Sequence, residues 1–123
     1  MVDDVRLIRA GERTEGAPTP GMIREEAIAT DRLWAGYVRT EAGMVSGWHH
    51  HGGYESSIFV MTGALVMEFG PEGAERLEAG PGDFVYVAPR AVHREANPTD
   101  AESHVIVVRA GEGPPVINVD GPA

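Results

Sequence analysis

The stretch GMVSGWHHHGGYESSIFVMTG, residues 43–63, carries more information about this chain than any other segment. It begins and ends on glycine and contains three consecutive histidines, His49, His50 and His51. On a β-strand, residues i and i+2 point to the same face. His49 and His51 are therefore predicted to project to one side and His50 to the other. Two imidazoles one pleat apart can share a metal ion.

The other two histidines, His93 and His104, lie more than forty residues further along the chain. A metal held by His49 and His51 needs a ligand from another strand, and His93, just after a turn, is placed to supply it in an antiparallel barrel. Neutral imidazole suits Fe, Mn, Ni, Zn and Cu, so the identity of the one divalent transition metal stays open. His104 is interpreted as a surface or satisfied core histidine.

Turn-forming residues divide the rest of the chain, which has 16 Gly and 9 Pro. The segments between them are short and rich in β-branched and aromatic residues. Strands are predicted over residues 23–29, 33–39, 43–51, 57–61, 65–69, 76–78, 84–87, 93–96 and 103–110. The Thr62-Gly63 turn is predicted to close a β-hairpin. This pattern predicts an all-β fold, a single-domain antiparallel β-barrel or jelly roll.

The length of 123 residues fits one domain with a single core, residues 1–123. Within it, residues 1–30 are expected to form an N-terminal segment whose first part wraps the outside, and residues 111–123 an extended C-terminal strap. No internal repeat, charge block or long linker divides the chain.

Composition excludes several classes of partner and of chemistry. Nineteen acidic against ten basic residues give a net charge of -9, which disfavours nucleic acid and anionic membrane surfaces. No apolar run approaches the roughly 20 residues that span a bilayer, and the first residues lack a secretory pattern, so a cytoplasmic location is expected. The absence of cysteine leaves His, carboxylate and water as metal ligands, and the absence of lysine excludes Schiff-base chemistry.

Residues 43–63 resemble the first motif of the cupins: a glycine, five residues, His-x-His, then a glutamate and a closing glycine. The segment GDFVYVAPRAVHREAN resembles the second motif, with Gly82, His93 and Asn97 at matching positions. The resemblance covers roughly residues 43–109. It implies a small cupin β-barrel that binds a metal, and, by analogy with many cupins, a homodimer.

The chain departs from these motifs at two places. Ser56 stands where the metal-binding glutamate would be, and Glu55 comes one residue early. Either a bulge re-aims Glu55 as a fourth ligand, or the site resembles the three-histidine variant of the family. In the second motif Ala88 and Arg90 replace Pro and Gly, and Arg90 at a position that favours glycine predicts backbone strain.

Glu95 follows His93 by one strand period, so the two side chains share a face. A carboxylate beside a cation inside a barrel can be a metal ligand, a catalytic proton acceptor or a group that orients the substrate. The alternative is an ion pair with an arginine at the barrel mouth. Asn97, before Pro98, is interpreted as a turn former.

These residues predict a small metal-binding protein whose partner is a small-molecule substrate or ligand. The resemblance implies dioxygenases, isomerases, epimerases and cyclases as candidate activities, with oxygenase chemistry favoured. A non-catalytic barrel that binds or senses a small ligand is the alternative, and a structural or storage protein a third. Motifs of hydrolases and of nucleotide-binding enzymes are absent from the sequence.

Overall fold

A computed structural model describes residues 5–17, 19–114 and 116–122. Its strands are β1 (Thr14–Glu15), β2 (Met22–Ala29), β3 (Leu33–Thr40), β4 (His49–His50), β5 (Glu55–Thr62), β6 (Leu65–Phe69), β7 (Glu75–Ala79), β8 (Phe84–Val87), β9 (His93–Ala96), β10 (Ser103–Ala110) and β11 (Ile117–Asn118). Two single turns of 3-10 helix cover Ala10–Glu12 and Pro71–Gly73. None of the described helical segments is long and apolar enough to cross a membrane.

The strands form two antiparallel sheets that enclose the core. One sheet has six strands in the order β1-β2-β3-β10-β5-β8, and the other has five in the order β11-β4-β9-β6-β7. The predicted all-β jelly-roll architecture is confirmed. The two sheets remain distinct and do not close into a continuous barrel.

The inner face of the six-stranded sheet follows the alternation expected of half-buried strands. In β10, Val105 and Val107 are buried while their neighbours are more exposed. They pack with Val38 of β3 and with Ile58 and Val60 of β5. The other sheet contributes Leu65 and Met67 to the same core. Burying a side chain such as Ile58 stabilises the fold by about 1.5–3 kcal/mol.

The hairpin predicted at Thr62-Gly63 is wrong. β5 belongs to the six-stranded sheet and β6 to the five-stranded one, so this turn carries the chain from one sheet to the other. Gly63 has φ +80°, and a Cβ there would collide with Ser103. The glycine is therefore required both by its backbone conformation and by the close approach of β10.

The long strand predicted over residues 43–51 is also wrong in its extent, because only His49–His50 is regular. Val45 makes an isolated bridge to Ala96, and the amide of Ser46 donates to the carbonyl of Glu95. This segment therefore follows β9 through scattered contacts. Gly43, at φ +69°, begins it with a backbone conformation that no strand has.

Both ends of the chain add strands to sheet edges. β1 pairs with β2 at one edge of the six-stranded sheet, and β11 pairs with β4 at one edge of the five-stranded sheet. The amide of Val119 also donates to the carbonyl of Trp48. The C-terminal segment thus holds the strand that carries His49.

Candidate metal centre

Three histidines converge inside the fold. His49 lies in β4, His51 follows that strand, and His93 begins β9 directly opposite His49 in the strand register. All three are buried, at 0%, 4% and 1% exposure. Each offers one ligand atom, and these atoms lie within 4.8 Å of one another. The two-residue period and the antiparallel pairing of β4 with β9 together produce this cluster.

Hydrogen bonds at the rear of two rings fix which nitrogen faces the cluster. His49 Nδ1 lies 3.0 Å from the carbonyl oxygen of Gly47, and His93 Nδ1 lies 2.8 Å from that of Ala91. A carbonyl only accepts, so each Nδ1 carries the hydrogen and each Nε2 carries the free lone pair. Both Nε2 atoms are buried with no hydrogen-bond partner among the described residues. A metal ion would satisfy both, as in metal sites where a carbonyl orients the ligating ring.

Glu95 adds a carboxylate to the same space. It is 4% exposed, and its Oε2 lies 3.4 Å from His49 Nε2 and has no hydrogen-bond partner among the residues that the structure describes. Ser46 holds the strand in place, because its hydroxyl accepts from the amide of Glu95 at 2.9 Å. The three imidazole ligand atoms therefore lie within 4.8 Å of one another, and the Glu95 carboxylate lies beside one of them, His49 Nε2. This donor set suits Fe, Mn, Ni or Zn.

The electrostatics of the cluster keep Glu95 and His93 in metal-binding protonation states. Burial raises the pKa of Glu95, but the adjacent His49 ring, then His93 and Arg24, lower it more, so the pKa lies below its usual value. Burial lowers the pKa of His93, and the nearby Glu95 offsets only part of this effect. At neutral pH the carboxylate is ionised and the His93 ring is neutral, as metal coordination requires.

The structure does not bring Glu55 to the histidines. Glu55 is exposed while Ser56 is buried at 2%, and β5 pairs in unbroken register with β8 at this point. The bulge that would re-aim Glu55 is absent there, so its carboxylate stays on the outer face, where it interacts with Tyr86. Ser56 faces the interior in its place.

The remaining histidines lie outside the cluster. His50 is half-buried, and its Nδ1 accepts from the amide of Gly52 at 3.0 Å. His104 contacts the hydroxyl of Tyr37 and lies 3.0 Å from a carboxylate oxygen of Glu102. Both have local partners, consistent with the roles inferred from the sequence.

An apolar cavity of about 210 Å³ adjoins the cluster. His93 forms one part of its wall, and side chains of β6, β7 and β8 form most of the rest. Among them are Met67, Leu77 and Val87. A small organic molecule seated there would lie against His93 and a largely apolar wall.

Two buried arginines were not anticipated from the sequence. Arg24 of β2 and Arg109 of β10 are each 2% exposed. Arg24 donates to the carbonyl of Ala17 at 3.0 Å and to the hydroxyl of Thr19, whereas the Arg109 guanidinium carbon lies 4.4 Å from the centre of the Trp34 ring. The signal was present in residues 103–110, where the two-residue period that turns Val105 and Val107 inward also turns Arg109 inward.

Two turns of the second motif support the site. Arg90 has φ +59°, the left-handed conformation that its place at a glycine-favouring position predicts. Its amide donates to the carbonyl of Gly52 at 2.9 Å and so ties this turn to the loop after His51. Asn97 is fully buried, and its side-chain amide donates to the carbonyls of three residues, Thr40, Glu41 and Ala101.

Comparison with known proteins agrees with this architecture. The cupin domain model matches residues 36–109, which is more than half of the chain. No curated protein sequence matches significantly.

Solved structures give the same fold. KdgF from Halomonas sp. is 22% identical, with 88% of this chain and 96% of that one covered and a TM-score of 0.72. The polyketide cyclase RemF from Streptomyces resistomycificus is 19% identical, with 94% and 85% covered and a TM-score of 0.75. Oxalate decarboxylase from Bacillus subtilis is 17% identical, with 83% of this chain and 28% of that one covered and a TM-score of 0.70.

Proposed function

The chain belongs to the cupin domain family, and from this premise we propose that it is a metal-dependent enzyme acting on a small organic molecule. The observation that carries the proposal is the cluster of three buried histidines with a buried carboxylate beside it. Within the part of the chain that the structure describes, His49 Nε2, His93 Nε2 and the Glu95 oxygen that lies 3.4 Å from His49 have no hydrogen-bond partner. Leaving such groups unsatisfied costs about 1–3 kcal/mol each. A bound cation removes that penalty.

His49, His51 and His93 would hold the metal, with Glu95 as a fourth ligand. A bound metal supplies Lewis-acid chemistry or, if it is redox-active, access to dioxygen chemistry. The chain's own groups orient the ligands and form the cavity for the substrate. Carbonyl acceptors orient two of the imidazoles, Glu95 stays ionised, and the cavity beside His93 offers an apolar wall to the substrate.

Oxygenase-type chemistry is our first candidate, and cyclase or isomerase chemistry is the second. The fold-level similarity to a polyketide cyclase and to oxalate decarboxylase supports an enzyme on this scaffold, since both relatives are enzymes of small organic molecules. Dioxygen consumption during a substrate screen separates the two candidates. Tight, metal-dependent binding of a small molecule without any turnover would instead favour a sensing module.

Metal analysis of protein purified without a histidine tag tests the premise. We expect about one divalent transition metal per chain, and its loss when His51 and His93 are both replaced by alanine. His104→Ala is the matched control, because that histidine has partners outside the cluster. Stoichiometric metal in the double variant would overturn the proposal.

The role of Glu95 is tested by Glu95→Gln, which keeps the size of the side chain and removes its charge. As a ligand, Glu95 should be required for full metal affinity, and the variant should lose metal more readily on dialysis. Unchanged metal content with turnover lowered by roughly 10²–10⁴-fold would instead identify a proton acceptor. Full metal and full activity would remove Glu95 from the site.

A further inference from the structure

The interior of the fold has an excess of positive charge. Arg24 and Arg109 are buried, and among the buried side chains of residues 5–17, 19–114 and 116–122 the only acid is Glu95. Buried charges are costly unless they are paired and hydrogen-bonded. One carboxylate cannot compensate two guanidinium groups, and a divalent metal beside it would increase the imbalance. The missing charge is that of an anion.

Arg109 is the less satisfied of the two arginines. Its Nε and Nη1 are buried and have no hydrogen-bond partner among the described residues, whereas Arg24 donates to Ala17 and Thr19. Trp34 lies against the Arg109 guanidinium and holds its plane in place. A fixed guanidinium with free donors suits a carboxylate, because a carboxylate only accepts hydrogen bonds and carries the opposite charge.

Ser56 is the neighbour of Arg109 on the adjacent strand. It is opposite Arg109 in the pairing of β5 with β10, so their β-carbons are about 4.5–5.5 Å apart. The Ser56 hydroxyl is buried and has no hydrogen-bond partner in the described part of the chain. The next residue in the same cross-strand row is Val87, which lines the apolar cavity that also reaches His93. One cross-strand row of residues therefore runs from Val87 at the cavity wall through Ser56 to Arg109.

We infer that Arg109 and Ser56, with the charge of Arg24 nearby, form a subsite for the carboxylate of a small organic acid whose apolar part occupies the cavity beside His93. This inference names the substrate class of the proposed enzyme and rests on that function. Electrostatic coupling agrees with it. Burial and then the charge of Arg24 lower the pKa of Arg109 to about 9, so an anion that binds here relieves both effects.

Carboxylate binding tests the inference. The probes are acetate and propionate. Acetamide and propionamide are their uncharged counterparts, and phosphate is a bulkier anion. Affinity is measured by calorimetry on the metal-loaded protein and again after chelation. The wild-type protein should bind the carboxylates in both states and bind the amides at least about tenfold more weakly, since a charged hydrogen-bonded pair is worth roughly that factor or more. Equal affinity for acids and amides, or tighter binding of phosphate than of propionate, would overturn the inference.

Variants locate the subsite. Arg109→Met should weaken propionate binding about tenfold to hundredfold without changing metal content, and Ser56→Ala should weaken it by a smaller factor. Arg76→Met is the matched control, because Arg76 is exposed and pairs with Glu78 on the outside. If Arg109→Met fails to fold, Ser56→Ala and the acid-to-amide ratio of the wild-type protein still decide the question. Retained propionate binding in both variants would refute the subsite.

The chelated protein separates the two proposals. Absence of turnover in the metal-loaded protein, with carboxylate binding intact in both the loaded and the chelated protein, would refute the enzyme and leave the anion site. Metal-dependent turnover, together with a carboxylate affinity that Arg109→Met leaves unchanged, would support the enzyme and refute the anion site. A carboxylate that binds only when metal is present would place the anion on the metal and overturn the role given to Arg109.

Discussion

The two sheets enclose the same interior but differ in how their strands are held. Four strands of the six-stranded sheet, β2, β3, β5 and β10, are eight residues long. In the five-stranded sheet β4 has two residues and β9 has four, and they pair through His49 and His93. The long strands supply most of the apolar core, and the short ones carry the candidate metal ligands. Most of the apolar core and the candidate metal ligands thus come from different sheets, which form the two walls of one interior.

The largest effect should come from the core of the six-stranded sheet. Ile58→Ala removes a side chain that is 2% exposed and should lower the free energy of unfolding by about 2–5 kcal/mol. Urea denaturation measures it. Met61→Ala on the same strand is the control, because Met61 is 43% exposed and should cost less than about 0.5 kcal/mol. Loss of metal from folded Ile58→Ala protein would show that the two walls are not independent.

Metal removal tests the opposite wall. Metal at about a hundred times its Kd should add about 2.7 kcal/mol to the free energy of unfolding, because it binds only the folded chain. The gain should shrink at pH values below about 6.5, the usual imidazole value, since protons then compete with the metal for His93, whose pKa burial lowers further. Melting curves with and without chelator over about pH 5 to 8 measure this effect. Curves that coincide throughout would argue against histidine ligands.

Asn97 lies where the two walls join and should have an intermediate effect. Its side chain follows β9 and hydrogen-bonds the ends of β3 and of the loop before β10. Asn97→Ala leaves those carbonyls unsatisfied and should cost about 1–3 kcal/mol in chemical denaturation. Asn118→Ala, at an exposed position of β11, should have little effect. Equal losses in the two variants would contradict the role given to Asn97.

The smallest effect concerns the strained turn before β9. Arg90→Gly should stabilise the protein by about 0.5–1 kcal/mol, because glycine adopts φ +59° without the penalty of a side chain. Glu72→Gly is the matched variant, since Glu72 has the same φ in a turn between β6 and β7. Thermal denaturation compares them. A stabilised Glu72→Gly beside a destabilised Arg90→Gly would show that the Arg90 side chain itself contributes to the fold.

Sequence patterns were sufficient for regular strands in both sheets. Residues 84–87, 93–96 and 103–110 were predicted with the bounds that β8, β9 and β10 have, because alternation and flanking turns mark them. The failures have a common cause. Which sheet a strand joins depends on long-range pairing, so the Thr62-Gly63 turn could not be told from a hairpin.

The candidate site was also predictable only in part, namely in its three histidines. Spacing alone was enough to select His49, His51 and His93, since the two-residue period fixes the first pair. The direction of Glu55 depended on a bulge that no local pattern could exclude. The buried arginines were overlooked because charged residues are rarely found inside, although the alternation in β10 pointed inward at Arg109.

The pairing of β11 with β4 has a practical side for protein engineering. A label or fusion partner attached after β11 is next to the strand that pairs with β4, which carries His49. One attached before β1 is next to the edge of the other sheet. Immobilisation for binding assays is therefore best made through the amino end. A fluorophore placed just after Asn118 would instead report on the occupancy of the site, because it is tethered to the strand that carries a ligand.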